Sequence, residues 1–432
     1  MKIRPVKGTR DFYPQEMAVR NWIIDGWKNV SIRNGFEEYD GPIFEYLKMF
    51  QVKSGDEIVE QLFSLTDRGG RELALRPEMT PTLARMVNQQ INSLRKPIKW
   101  FSVPRLFRAE RPQKGRLREF FQWNIDIIGV EDVLADAEVI FTTIDYLRQI
   151  GLTKKDIKVK ISSRKFLAGF LKGLGIQEKR LGALYVLLDK SAKLSADVFE
   201  ELLIEQIPEK AISDKILEFM TEKSSEQMTD LIGPDDNARS ALDEINHVFE
   251  YLENMGVSDF CVFDPGIVRG LAYYTGIVFE VHDAVGELRA VCGGGRYDNL
   301  LKDFGGPSIP ATGMGMGDCV LEVLLREKGL IDEQLPLNSM DFFIAYANEV
   351  YKDEAVKVTM KLRSKGQKAN FSYKAAKLNK QLKQASEKNA RMCIIIGDEF
   401  KDNNLVLKDM SNGRQQTVQV EVFLKEPETF IE

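Results

Sequence analysis

From residue 16 to residue 33 apolar side chains return at helical spacing, through Met17, Val19, Trp22, Ile23, Trp27, Val30 and Ile32. The run stops before Asn34 and Gly35, which suit a helix C-terminus. Short apolar runs follow at 36–39, 62–66, 73–76, 98–104 and 120–130, divided by Gly, Pro and Asp turns and by a helical stretch near 80–90. This pattern predicts an α+β fold built on an antiparallel sheet. From about 163 to 251 the strand signal vanishes, and apolar spacing with Lys/Glu-rich faces predicts a helical insertion. Strand runs resume at 261–263, 277–282 and 289–292. Glycines 313, 315 and 317 alternate ahead of a helix beginning near Val320. After Leu335 and Pro336 the pattern changes to strand 341–346, helix 349–365, a strand near 371, helix 375–389, strand 392–396 and two short strands. Residues 1–332 and 338–432 are therefore read as two domains, the second a small α/β unit. The closing LKEPETFIE is too short to predict a final helix.

Composition narrows the chemistry. The 432 residues include only two histidines, His247 and His282, and four cysteines, Cys261, Cys292, Cys319 and Cys393, with no CxxC pair. A dedicated zinc site or a histidine-based nucleophile relay has little to draw on. Reactions must lean on Arg, Lys, Asp, Glu, Tyr and backbone groups. No stretch reaches the roughly 18 apolar residues of a membrane span, and MKIRPVKGTRDFYPQEM has no apolar signal region, so a cytoplasmic, reduced protein with no membrane partner is expected.

The net charge of -5 argues against a general nucleic-acid coat, but it averages over unlike regions. Residues 95–118 hold nine Lys/Arg against Glu110 alone, and 352–391 hold twelve against Asp353, Glu354 and Glu387. Taken alone, such runs fit a solvated helix face as well as a polyanion site.

Strict alternation in EFFQWNIDIIGV (119–130) sets Gln122, Asn124 and Asp126 on one face and Phe121, Trp123, Ile125 and Ile127 on the other. Arg105, Arg108, Glu110, Arg111, Arg116 and Arg118 lie just upstream. Guanidinium forks beside a carboxamide and carboxylate row suit phosphate. In PGIVRGLAYYTG (265–276), glycines flank Arg269 and the pair Tyr273 and Tyr274, where one ring could face the core and the other a ligand. Gly293, Gly294 and Gly295 supply flexible backbone after a strand. Glycines 313, 315 and 317 clear one strand face into a floor for a planar ring, and their spacing is not the dinucleotide GxGxxG. Glu78 sits between a strand and a helix start, where it either complements the helix dipole or binds an ammonium.

In order, FRAERPQKGRLREFFQ (107–122) and PATGMGMGD (310–318) resemble the second and third signatures of class II aminoacyl-tRNA synthetases, and Pro42 sits where the first, dimer-forming signature would. KGTRDFYP (7–14), LRPEMT (75–80), RGLAYYTGIVFEV (269–281) and GGGRYDNL (293–300) resemble the histidyl-tRNA synthetase family specifically, nearly end to end. The resemblance implies a class II antiparallel-sheet catalytic core with a helical insertion, then an α/β anticodon-binding domain. It implies ligation of L-histidine to tRNA(His) through a histidyl-adenylate, in a homodimer, with ATP as substrate and Mg²⁺ arriving on it rather than at a protein-only metal site. Arg108 and Arg269 would be catalytic. Glu78, Met79, Thr80, Arg108, Gln122, Asp126, Arg269, Tyr273 and Tyr274 would hold histidine. Arg108, Glu110 at the adenine amino group, Arg116 at the distal phosphates, Phe121 stacked on adenine, Gly315 and Gly317 would hold ATP. Arg111 and Gln113 would meet the tRNA acceptor end. The third signature usually ends in an arginine for the γ-phosphate, but this chain reads Gly317, Asp318, Cys319, leaving Arg116 or Arg296 as substitutes. The competing reading is a catalytically silent relative, either a regulatory subunit of histidine biosynthesis or an uncharged-tRNA sensor; retention of Glu78, Arg108, Arg269 and the basic second domain favours the enzyme.

Overall fold

Hydrophobic alternation and turn residues divide the first unit, residues 1–332, into short strands and amphipathic helices; a second compact unit covers 333–432. The computed structural model describes residues 3–51, 62–191, 194–221, 228, 232, 236–269, 273–286, 288–331, 340–374 and 376–431. The change of pattern at Leu335 and Pro336, the Gly270 to Ala272 part of the arginine loop, and several stretches of the helical insertion lie outside the described residues.

In chain order the strands of the first unit are β1 (Glu37–Glu38), β2 (Phe44–Tyr46), β3 (Ser64–Thr66), β4 (Glu72–Leu75), β5 (Ile98–Ser102), β6 (Arg105–Phe107), β7 (Glu119–Ile128), β8 (Ile157–Ser163), β9 (Cys261–Phe263), β10 (Ile277–Asp283), β11 (Cys292–Arg296) and β12 (Ala311–Gly317). One sheet runs β1-β5-β7-β12-β11-β10-β8-β9, with β6 also paired to β7. Only the outer pairs β1–β5 and β8–β9 are parallel; every other pair in it is antiparallel. The chain is thus α+β on an antiparallel sheet. β2, β4 and β3 make a separate antiparallel sheet.

The helix Pro14–Arg33 begins with proline, whose missing N–H costs nothing in a first turn, and ends before Gly35 at φ +77°. Together with the helix Leu134–Gln149 it covers the back of β7. There Trp27, Trp123 and Tyr146 are fully buried, with ring centroids 5.5–6.3 Å apart, and Trp123 Nε1 donates to Ser31 Oγ at 2.8 Å. Truncating a ring of this kind costs about 3–5 kcal/mol. The odd-numbered residues of β7 therefore fix which way its even-numbered residues point.

One predicted strand is displaced and two elements are not predicted by the pattern. The strand read at 289–292 lies further on: β11 begins at Cys292 and runs through Gly293, Gly294 and Gly295, because its pairing with β10 and β12 holds those glycines extended rather than loose. β8 and the helix at 134–149 drew no reading, since a run as short as IKVKISS looks like either element. Among the described residues the insertion carries helices Arg164–Gly173, Glu178–Asp189, Ala196–Gln206, Lys210–Thr221 and Asp236–Asn254.

The second unit carries β13 (Met340–Tyr346), β14 (Ala369–Phe371), β15 (Ala390–Ile396), β16 (Asn404–Asp409) and β17 (Gln415–Gln419), ordered β14-β13-β15-β16-β17. Helices Lys352–Ser364 and Leu378–Glu387 pack on it, and Phe342, Ile344, Leu362, Ile394, Leu405 and Phe423 form its core. A further short helix, Val420–Lys425, follows β17. No helix among the described residues is long and apolar enough to cross a membrane.

Arg296 is not free to meet a phosphate. Strand parity turns it to the helix side of β11, where Nε and Nη2 donate to Asp136 Oδ2 at 2.9 and 2.5 Å and the Val130 and Asp132 carbonyls take further bonds. Burial raises Asp136 to about 6 despite that partner. Breaking a buried pair strands the remaining charge, so Arg296→Ala is expected to cost about 3–5 kcal/mol in denaturant unfolding.

Candidate active site

In an antiparallel pair, residues opposite one another share a face. On β7 that face carries Gln122, Asn124 and Asp126; in register across β12 lie Gly317, Gly315 and Gly313; across β11 lie Gly293 and Gly295; across β10 lie Glu280 and Val278. Five glycines on two central strands make a floor without side chains. Three of them are required because polar side chains cross them: an added Cβ would stand 2.1 Å from Asp126 Oδ1 at Gly313, 2.8 Å from Gln122 Nε2 at Gly315 and 2.6 Å from Arg269 Nη1 at Gly293. Above the floor is a cleft of about 1490 Å³.

At one end the lining is tyrosine and carboxylate. Glu78, Thr80, Asp126, Tyr273, Tyr274 and Tyr297 converge there. The Tyr273 hydroxyl donates to Glu78 Oε2 at 3.3 Å, and the Tyr297 hydroxyl donates to Asp126 Oδ1 at 2.5 Å. Both rings of the Tyr273 and Tyr274 pair line the cleft while also packing into the core. Burial lifts Asp126 to about 7, and the Tyr297 hydrogen bond only partly offsets this. Met79 does not line the cleft: as the residue capping the helix Thr80–Gln90 it turns into the core, with 1% exposure.

At the other end Arg108, Gln113, Arg116, Phe120 and Gln122 line the wall beside Gly315 and Gly317. Arg108 Nε donates to the Pro77 carbonyl at 3.0 Å and its guanidinium lies 5.2 Å from the Phe120 ring centre. Arg116 is ion-paired with Glu110. Phe121 is a correction: alternation along β7 turns it away from the cleft, against Phe12, Arg20 and Arg105, and Phe120 takes the cleft position. Arg111 is exposed and off the cleft wall. Cys319 is buried with its thiol on Asp318 Oδ1, and Asp318 in turn holds Arg10 at 2.5 Å.

Arg269 stands on the opposite wall. It is a non-glycine residue at φ +61°, a conformation that costs energy and collects at functional sites. Its Nη1 meets Glu280 Oε1 at 2.6 Å. Burial works against its charge, but neighbouring Tyr274 and Glu280 outweigh this and hold it firmly protonated. Glu280, though buried, is pulled down to about 2 by Arg269 and His282. Sequence reasoning missed Tyr297, Glu280 and His282. The period-two pattern of IVFEVHD carried the signal for the last two.

A family model described as histidyl-tRNA synthetase matches residues 8–317, and one described as an anticodon binding domain matches 341–427. The chain is 41% identical to a histidine–tRNA ligase, chloroplastic/mitochondrial, of Arabidopsis thaliana, over 97% of this chain and 85% of that protein. It is 39% identical to a histidine–tRNA ligase of Opitutus terrae, over 95% and 94% of the two chains. A crystal structure of histidyl-tRNA synthetase from Nostoc superposes with TM-score 0.85 over the full length of both chains at 24% identity, a likeness of fold. The fold is that of a class II aminoacyl-tRNA synthetase. Within that class, the chain belongs to the histidyl-tRNA synthetase family.

Asp126 makes stability depend on pH. Its folded-state value near 7 lies above the unfolded 3.8, so its contribution is complete below 3.8 and is lost as pH rises through 7. Asp126→Asn keeps the acceptor for Tyr297 and removes the titration. Relative to the parent it should gain about 2 kcal/mol between pH 5 and pH 8 in denaturant unfolding.

Proposed function

We propose that this protein ligates L-histidine to tRNA(His), with ATP as co-substrate, through a histidyl-adenylate. The observation that carries the reading is the pair Arg108 and Arg269 on opposite walls of a glycine floor, beside a buried tyrosine and carboxylate pocket. Glu78 and Thr80 suit the substrate ammonium, with Gln122 nearby, and Asp126 suits a ring N–H of the imidazole. Such buried polar groups reject isosteres that leave them unpaired by about 10⁴-fold or more. Phe120 suits stacking on adenine over Gly315 and Gly317. The histidine carboxylate attacks the α-phosphorus and pyrophosphate leaves. Charge growing on the non-bridging oxygens is met by Arg108 and Arg269, placed in advance of the reaction. Mg²⁺ enters as part of the nucleotide substrate, where it neutralises phosphate charge; among the described residues no three His, Cys, Asp or Glu side chains gather to hold a metal. The terminal ribose hydroxyl of tRNA then attacks the adenylate carbonyl.

We place the protein in the cytoplasm as a homodimer. Exposed Ile43, Phe44, Tyr46 and Leu65 on and beside the β2-β4-β3 sheet suit an apolar interface. In the second unit exposed Lys361, Arg363, Lys365, Lys377, Lys380 and Lys383 suit the anticodon-stem phosphates. Arg111 and Gln113 suit the acceptor end.

The test is histidine-dependent ATP–pyrophosphate exchange by the purified chain; a silent regulatory relative would show none. Arg269→Ala should lower kcat by about 10²–10³-fold. Phe120→Ala should raise KM for ATP by about ten-fold, and Phe121→Ala should not. Binding of tRNA should weaken linearly on a log–log salt plot; a flat plot refutes the phosphate role of the basic domain.

A further inference from the structure

Glu280 is bound at both carboxylate oxygens. Oε1 meets Arg269 Nη1 at 2.6 Å, and Oε2 lies 2.9 Å from His282 Nε2. Two residues apart on β10, Glu280 and His282 share the face that looks onto the cleft. Lys160 stands opposite Glu280 and Lys158 opposite His282 across β8, and both are engaged elsewhere: Lys160 with Asp264 at 3.1 Å, Lys158 with the Asp259 carbonyl at 3.2 Å. The negative charge of Glu280 is therefore directed to Arg269.

Arg269 is restrained along its whole length. Its carbonyl accepts from Arg164 Nη1 at 3.1 Å, its backbone is left-handed, and its guanidinium crosses Gly293 where a side chain would collide. Its guanidinium is held by Glu280 and by neighbouring Tyr274, whereas Nε is buried with no hydrogen-bond partner among the described residues. A guanidinium held in place with one buried N–H unpaired is prepared for an incoming phosphate oxygen.

We propose that Glu280 and His282 form a two-residue clamp that positions Arg269: the carboxylate fixes the guanidinium, and the imidazole, donating from Nε2, fixes the carboxylate. The chain's one cleft histidine then works through Glu280 and touches no substrate. This rests on the assignment of Arg269 to the reacting phosphate.

The experiment is steady-state ATP–pyrophosphate exchange with full-length Glu280→Gln, His282→Gln, His282→Leu, Arg269→Ala and the Arg269→Ala/Glu280→Gln double variant. A misplacement near 1 Å costs about 10²-fold, so Glu280→Gln should lower kcat by about 10–100-fold with KM for histidine and ATP within about three-fold. His282→Leu should lower kcat by about five- to ten-fold, and His282→Gln, which retains an N–H donor, should recover most of it. Because the clamp acts only through Arg269, Glu280→Gln should cost nothing further once Arg269 is alanine. Full kcat in Glu280→Gln, a loss confined to KM, equal rates in the two His282 variants, or additive losses in the double variant would each overturn the clamp. Should Glu280→Gln not fold, the His282 pair carries the same test. Full exchange in Arg269→Ala would instead overturn the assignment of Arg269 itself.

Discussion

A sheet face stripped of side chains is the constraint on which the cleft depends. Antiparallel register forces residues 122, 124 and 126 of β7, 313, 315 and 317 of β12, and 293 and 295 of β11 onto one surface. With glycine on the two inner strands, flat groups approach the backbone closely, and the polar side chains of β7 and β10 reach in from both flanks. Glycine in a strand sacrifices packing and backbone entropy, by roughly 0.5–1 kcal/mol at each position. The opposite face offsets this: Trp123, Phe279, Met314 and Met316 are buried there, and the Arg296–Asp136 pair ties β11 to the helix behind it. The bare floor exists because its underside is dense.

Two carboxylates on that face diverge through their neighbours alone. Among the described residues Asp126 is paired with a neutral hydroxyl, that of Tyr297, so burial dominates and pushes it up to about 7. Glu280 is nearly as buried but touches Arg269, and the ion pair drives it well below the ordinary carboxylate range. The first is suited to share a proton with an imidazole, whereas the second stays charged at every physiological pH and so can serve as a fixed support.

Much of this was legible in the sequence, and its failures share a cause. Alternation in EFFQWNIDII gave the correct faces for Gln122, Asn124, Asp126 and Trp123, and the same parity puts Phe120 in the cleft. Phe121 came from motif position, which carries no parity. Likewise GGGR read as loose backbone because glycine signals a turn when taken alone; only pairing with β10 and β12 makes it a strand and sends Arg296 to the far side. Tyr297 and Glu280 acquire meaning from partners 171 and 11 residues away, at Asp126 and Arg269, and spacing along the chain does not encode those meetings.

The third signature is tied into the fold through Asp318. Asp318 opens the helix Asp318–Glu327, where its charge complements the helix N-terminus, and it accepts from Phe121 N at 3.0 Å while Arg10 closes on its other oxygen. Arg10 belongs to a segment whose Gly8 carbonyl accepts from Arg118 N at 2.8 Å, and Arg118 Nε donates to the Glu110 carbonyl at 3.0 Å. The N-terminal KGTRDF, the loop of the second signature and the start of this helix are thereby one hydrogen-bonded unit. Asp318 thus anchors the N-terminal segment and, through it, the loop of the second signature, which carries Arg116 to the same end of the cleft as Arg108.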